Sequence, residues 1–222
     1  MYPVNRNQLR RIKAKADEIA HSLRNYEDIG PLPAKAVKHH FQLRAPASLE
    51  EVETLEKEQN IRLPEDYRAF LLEIGNGGAG PWAGLLSLNQ WHSYSDSFLK
   101  EVSTGRTYLS SPSFFTADST FTSEWSDACW EEWDPYQGTI CIADCGIIAM
   151  SAVESLIVSG SERGRMVSTG ELGQIPVLSP FPDFLTWYEN WQDKALAKQL
   201  DAWYQEHMQQ WHQYNPPPRW FW

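Results

Sequence analysis

Between Arg106 and Arg163 the chain has no lysine or arginine but nine acids: Asp118, Glu124, Asp127, Glu131, Glu132, Asp134, Asp144, Glu154 and Glu162. In the middle of that interval carboxylates and indoles are interleaved, at Glu124, Trp125, Asp127, Trp130, Glu131, Glu132, Trp133 and Asp134. Carboxylates steer a basic protein during diffusional encounter, and indoles fill pockets on it once it has docked. These eight residues are the candidate partner-binding site. The acids lack the alternating oxygen ligands and central glycine of a calcium loop, so the stretch does not read as a metal site. The chain from Trp91 to Asp134 is rich in Ser, Thr and Trp and reads as long loops, helical in its first part to about Leu99.

Residue patterns that would do chemistry are not found. The histidines, His21, His39, His40, His92, His207 and His212, form no H-E-x-x-H. Cys129, Cys141 and Cys145 form no C-x-x-C and, being three, no paired framework. They read as small buried hydrophobes. There is no G-x-S-x-G, and no Gly-Lys-Ser/Thr of a phosphate-binding loop. Gly75-Asn76-Gly77-Gly78-Ala79-Gly80 has the spacing G-x-G-x-x-G. A dinucleotide site needs those glycines after a strand and before a helix, where the pyrophosphate meets free N–H groups. Here they follow a predicted helix and precede Pro81, so they read as a helix stop with a tight turn. No catalytic residue, metal ligand or cofactor is assigned, and the chain reads as a non-enzyme.

Charge is unevenly distributed. Residues 1–44 hold nine Lys/Arg against four Asp/Glu, whereas residues 45–222 hold ten against 25, and the whole chain of 222 residues stands at −10. Such a body repels nucleic acid and attracts basic partners. Ile74–Ser95 is the longest stretch free of Asp, Glu, Lys and Arg, but its five glycines, Pro81 and His92 make it too polar to span a bilayer. The first twenty residues show no apolar run before a small-residue cleavage site. The expectation is a cytoplasmic protein with a protein partner, no nucleic acid and no membrane.

The elements that must hold these residues can be placed. Leu9, Ile12, Ala16, Ile19, Ala20 and Leu23 recur at helical spacing and predict an amphipathic helix over 7–23, with Arg10, Arg11, Lys13 and Lys15 as a solvated basic face. Gly30-Pro31-Leu32-Pro33 reads as a linker. Ser48-Leu49-Glu50-Glu51 is a capping box that opens a second helix to about Gln59. Pro64 fits the first position of a third helix, with Tyr67, Phe70, Leu71 and Ile74 as its apolar face. Apolar runs at 85–88, 138–143, 146–150, 155–158 and 165–168, punctuated by Gly and Asp, predict strands of an antiparallel sheet. Asp183 precedes a closing helix with Phe184, Leu185, Tyr188, Trp191, Ala195 and Leu196 inward. Helical propensity continues to about Gln213, divisible into two helices, before Pro216-Pro217-Pro218 ends it. Eleven tryptophans suit a core first and an interface second. Trp220-Phe221-Trp222 reads as folding back on the body or contacting a partner.

Ile61-Arg62-Leu63-Pro64-Glu65-Asp66-Tyr67-Arg68-Ala69-Phe70-Leu71-Leu72-Glu73-Ile74-Gly75-Asn76-Gly77-Gly78 closely resembles the opening signature of the SUKH superfamily, which contains a fungal cell-wall assembly regulator and many bacterial proteins. Gly146 and Leu156–Met166, with Gly160-Ser161-Glu162-Arg163-Gly164 inside it, resemble that group's strand, G-x-E-x-G turn and next strand. Phe184-Leu185-Thr186-Trp187-Tyr188-Glu189-Asn190-Trp191 is similar to its closing helix. The matches keep the family's order over about Leu49 to Leu196. They depart at Ile147-Ile148, where members often carry aromatics, and at Met166, where they often carry Trp. The resemblance implies an α+β domain with one mostly antiparallel twisted sheet flanked by N-terminal and C-terminal helices. It divides the chain into a basic helix and linker (1–44), the SUKH-like domain (45–199) and a helical Pro/Trp extension (200–222). It also implies a non-catalytic immunity-type protein that binds and neutralises a bacterial toxin, a basic one on the charge reading and often a nuclease in that group. The alternative is a regulatory or scaffold adaptor that contacts other cellular proteins through the basic helix or the Trp-rich tail.

Overall fold

The structure, a computed structural model, describes residues 4–23, 39–90, 109–116, 136–144, 152–170 and 174–215. Among these residues it holds five helices and a four-stranded antiparallel sheet, an α+β arrangement with helices flanking the sheet. The helices begin where local chemistry starts them. Helix α1 (Arg6–Ser22) is capped by Asn5, whose side chain accepts from the Gln8 N–H at 3.1 Å. Helix α2 (Leu49–Glu58) carries the full capping box: Ser48 Oγ accepts from the Glu51 N–H at 3.1 Å, and the Glu51 carboxylate accepts from the Ser48 N–H at 2.7 Å. Helix α3 (Glu65–Glu73) starts one residue later than the sequence suggests. Pro64 is its cap and not its first residue, because its ψ of 135° is extended while its carbonyl already accepts from the Arg68 N–H at 2.8 Å. Asp183 caps α4 (Phe184–Leu196) through a 2.7 Å bond from the Thr186 N–H. Lys198, at φ 57°, breaks the chain before α5 (Leu200–Tyr214), so the closing helical stretch is two helices.

Strands β1 (Thr139–Asp144), β2 (Ala152–Ile157), β3 (Met166–Gly170) and β4 (Val177–Leu178) lie side by side in chain order, each antiparallel to its neighbour. A bulge interrupts the β1–β2 register between Cys141 and Ala143. The two-residue β4 is too short for its pattern to show in the sequence. Pro176 and Pro180 flank it, and residues without an N–H keep a sheet edge from recruiting another strand. The predicted strand at 85–88 is reduced to one bridging residue, Leu85. Leu85 pairs with Ala143 of β1 and with Gly78, and Gly78 pairs with Leu43, so three single residues continue the sheet past β1. Gly78 makes this crossing possible. It sits at φ 98°, where L side chains are strained, and a Cβ there would run into the backbone of Gln42 and Arg44. The predicted strand 146–150, the helix in 91–99, the linker at 30–33, Cys129, Cys145, His92 and the tail from Pro216 to Trp222 lie outside the described residues.

The helix side of the sheet is an aromatic core. Phe70 of α3 meets Phe184 and Tyr188 of α4 edge-on, with ring centres 5.1 and 4.9 Å apart, and Tyr188 leads on to Trp191 at 5.5 Å. Such geometries set the positive ring edge against the negative face. Ile140, Leu156 and Met166 project from β1, β2 and β3 into the same cluster. All five described tryptophans, Trp82, Trp187, Trp191, Trp203 and Trp211, are buried there. Trp82 holds a positive φ of 56°, unusual for a bulky residue, and several contacts enforce it. Its N–H donates to Tyr204 Oη at 3.1 Å, its indole Nε1 donates to Glu154 at 3.4 Å, and its ring lies 4.7 Å from that of Tyr204.

Helix α1 lays Leu9, Ile12 and Ile19 into this core. Its basic face is only partly solvated, which corrects the sequence expectation. Arg11 forks onto both oxygens of Glu189 at 3.0 and 3.1 Å, and Lys15 bridges Glu189 at 3.0 Å and Asp193. Gln192 of α4 donates to the Ile12 carbonyl at 3.0 Å. Burial alone would push the Glu189 carboxyl up, but the hydrogen bonds from Arg11 and Lys15 outweigh it and hold it below the usual range.

Candidate functional site

The motif segments of the sequence converge in space. Pro64, Glu65 and Asp66 open α3, Arg163 and Gly164 belong to the β2–β3 turn, and Asp183 and Leu185 open α4; together they line a cleft of about 450 Å³. Asn5 and Gln8 of α1 close its side. The residues meet here for reasons of capping. Asp66 accepts from the Leu185 N–H at 3.4 Å, so one helix start helps to hold another. Burial raises the Asp66 carboxyl above its ordinary range, against backbone donors that lower it, and Asp183 adds a like charge. Arg163 Nη2 donates to the carbonyls of Arg62 and Leu63 at 2.9 and 2.7 Å and so ties the β2–β3 turn to the α3 entry.

Arg163 also lines a second cleft, of about 530 Å³, with Arg62, Asn60, Ser110, Ser159 and Gly160. Among the described residues no carboxylate borders this one. Gly160, at φ 109°, lets the turn approach Ser113 closely, and the Ser113 N–H donates to the Ser159 carbonyl at 3.0 Å. The two clefts form a groove that is acidic on the α4 side of Arg163 and basic on the other. A third hollow of about 300 Å³ lies along α2, where Glu50, Glu51 and Glu58 rim a floor that includes Leu55 and Leu88.

These clefts present charged side chains. Neither half of the groove is lined by a histidine or cysteine, and its aspartates accept backbone N–H groups. Among the described residues no three of His, Cys, Asp and Glu are grouped to hold a metal ion, and no helix is long and apolar enough to cross a membrane. The exposed large hydrophobics among these residues are Leu49 and Tyr214, which are single and form no patch.

The candidate site from the sequence, Glu124, Trp125, Asp127, Trp130, Glu131, Glu132, Trp133 and Asp134, lies outside the described residues. Three acids of the same cation-free interval are described: Asp144 ends β1, and neither Glu154 nor Glu162 is a free surface charge. Glu154 is buried on β2, where both its oxygens accept from Ser168 Oγ at 3.0 Å. Glu162 pairs with Arg165 at 2.7 Å. The sequence reading did not single out the groove residues Asn60, Arg62, Ser110 and Arg163. One signal was available: Arg163 is the cation that ends the cation-free interval, between the two glycines of a turn.

A comparison with curated proteins gives no match. The profile of the SMI1 / KNR4 family (SUKH-1) matches residues 46–187. That span takes in α2, α3, the whole sheet and the first residues of α4, and leaves α1 and α5 outside it. With that match over most of the chain, and its signature segments meeting at one groove, the chain belongs to the SMI1 / KNR4 family (SUKH-1).

Proposed function

We propose that this chain is an immunity-type protein that binds and neutralises a basic protein toxin without catalysis of its own. Family membership implies protein–protein interaction and is consistent with a toxin-immunity or an SMI1/KNR4-like role. The observation that carries the finer reading is charge: 25 acids against ten cations after residue 44. Toxins that grip phosphates are themselves basic, and an acidic inhibitor mimics the charge they seek. The α2 hollow, rimmed by three glutamates over an apolar floor, suits the methylene stem and charged head of a lysine or arginine. Glu124, Asp127, Glu131, Glu132 and Asp134 would steer the partner, and Trp125, Trp130 and Trp133 would anchor it.

The adaptor reading asks α1 or the Trp-rich tail to supply the contacts, and the tail lies outside the described residues. The apolar stripe of α1 is buried, Arg6 pairs with Glu73 of α3, and Arg11 and Lys15 are committed to α4, which leaves Arg10 and Lys13 as its unpaired outward Lys/Arg side chains among the described residues. This argues against α1 as an adaptor contact. The test is retention from a lysate of its own source on the tagged chain, at low and high salt. The expected result is one stoichiometric basic protein, released by salt, toxic when expressed alone and harmless when co-expressed with this chain. Retention of several non-toxic proteins through high salt would overturn the proposal in favour of an adaptor.

A further inference from the structure

Charge attraction alone does not choose among basic proteins. An acidic surface draws any of them, so a cognate partner must be distinguished by a contact that the others fail to make. The basic half of the groove is placed to make one. In a chain of net charge −10, two guanidiniums border a cleft without a carboxylate in its lining. Arg62 commits its Nε to Glu65 at 3.0 Å, which leaves both Nη groups to donate. Arg163 commits Nη2 to two backbone carbonyls, which leaves Nε and Nη1.

We propose that the cleft between Arg62 and Arg163 accepts an aspartate or glutamate side chain of the protein partner, and that this contact selects the cognate partner from other basic proteins. The inference rests on the partner being a basic protein, as proposed above. Arg163 is organised in advance: its bonds to the Arg62 and Leu63 carbonyls fix the planar fork, so little freedom is lost when a carboxylate docks. The Asn60 amide and the Ser110 hydroxyl border the same space as additional donors. On the far side of Arg163 the groove turns acidic, at Glu65, Asp66 and Asp183. A partner segment with a carboxylate beside a lysine or arginine matches both halves. A partner with a cation at the carboxylate position meets two guanidiniums and is rejected.

The test is selection from a displayed library of random twelve-residue peptides against the full chain and against Arg62→Glu, with Ser110→Asp as a second variant. Both substituted side chains lie at the surface, so both variants are expected to fold. Peptides enriched by the unaltered chain are expected to be basic overall, with one acid at a constant offset from a Lys/Arg pair. The acid should disappear from the selections of both variants, and a selected peptide made synthetically should bind Arg62→Glu about tenfold more weakly. Basic peptides without a recurring acid, or with an acid that survives both variants, would overturn the selection proposal and leave the charge-steering reading standing. Peptides with no basic bias would overturn the reading on which it rests.

Discussion

The two faces of the sheet are built from different materials. On the helix side Ile140, Leu156 and Met166 join an aromatic core with α3 and α4. On the opposite side Ile157 and Val167 meet Phe115, with Phe114 and Leu178 at the margin, and around them sit Cys141, Ser155 and Thr169. Ser155 and Thr169 are fully buried, and among the described residues neither hydroxyl has a hydrogen-bond partner. The helix-side face is therefore aromatic and interlocked, with the buried Glu154 held by Ser168 and Trp82, while the other buries small hydroxyls at a cost. The difference teaches where the fold is held. Two signature segments of the family, Ile61–Gly78 and Phe184–Trp191, turn their aromatic residues toward the helix side.

Removing the keystone of the helix side should have the largest effect. Phe70 is fully buried against Phe184 and Tyr188. Phe70→Ala should cost about 3–5 kcal/mol, as large-to-small changes at well-packed aromatics do. Denaturant titration measures it. A loss below 1 kcal/mol would mean that the helix side is not the better-packed face. Gly78→Ala should follow, at about 2 kcal/mol or more, because the new Cβ would meet backbone in a strained conformation. Its signature would be loss of amide-exchange protection at Leu85 and Arg44, whose N–H groups bond to Gly78 and Gly77 at 2.8 and 2.9 Å.

Much of the helix side was legible in the sequence, because helices announce themselves locally. The 3.6-residue spacing of Leu9, Ile12, Ala16 and Ile19, the Ser48–Glu51 box and Asp183 before Phe184 each report on a few neighbouring residues. β2 and β3 were legible for a similar reason, since Gly160–Gly164 marks the turn between them. What was not legible depends on distant pairing. Leu85 looks like a strand residue yet forms only isolated bridges, to Gly78 and Ala143. Glu154 reads as a surface acid, and only the approach of Ser168 and Trp82 shows it to be buried. The groove was illegible on the same grounds. Arg62 and Arg163 are about a hundred residues apart and meet because one guanidinium caps the other's backbone carbonyl.

Acid should separate the helix side from the rest of the molecule by a middle-sized amount. His39 packs its ring against Phe41 and Trp191, at 5.2 and 6.4 Å. Its Nδ1 accepts from the Phe41 N–H at 2.9 Å. Burial, with a smaller push from His40, lowers it to about 4 from an ordinary value of 6.5. Between those values the unfolded chain binds a proton that the folded chain does not. Stability should hold above pH 6.5 and fall as the pH drops toward 4, by at most about 1.4 kcal/mol per unit. Below about 4.5 the depressed Glu189 carboxyl adds a second loss in the same direction as α1 loses its partner. His39→Asn retains a side-chain acceptor two residues before the Phe41 N–H and carries no proton to gain. Its stability should fall less steeply between pH 6.5 and 4.5, the remaining slope coming from His207, which burial also lowers. An unchanged slope in that variant would place the acid sensitivity elsewhere.

The smallest effect should come from the opposite face and should have the opposite sign. Thr169 carries a buried hydroxyl without a partner, beside Val153 across the β2–β3 ladder. Replacing it with valine keeps the branched shape and removes a polar group whose burial is uncompensated. Thr169→Val should therefore raise stability by about 1 kcal/mol, read as a higher denaturant midpoint with the slope unchanged. A loss would mean that the hydroxyl is satisfied in solution, and that this face is as well matched as the helix side. A gain would mean that the outer face carries polar groups the fold does not need. Small hydroxyls beside Phe115, Ile157 and Val167 would then be tolerated there because the aromatic side already holds the sheet.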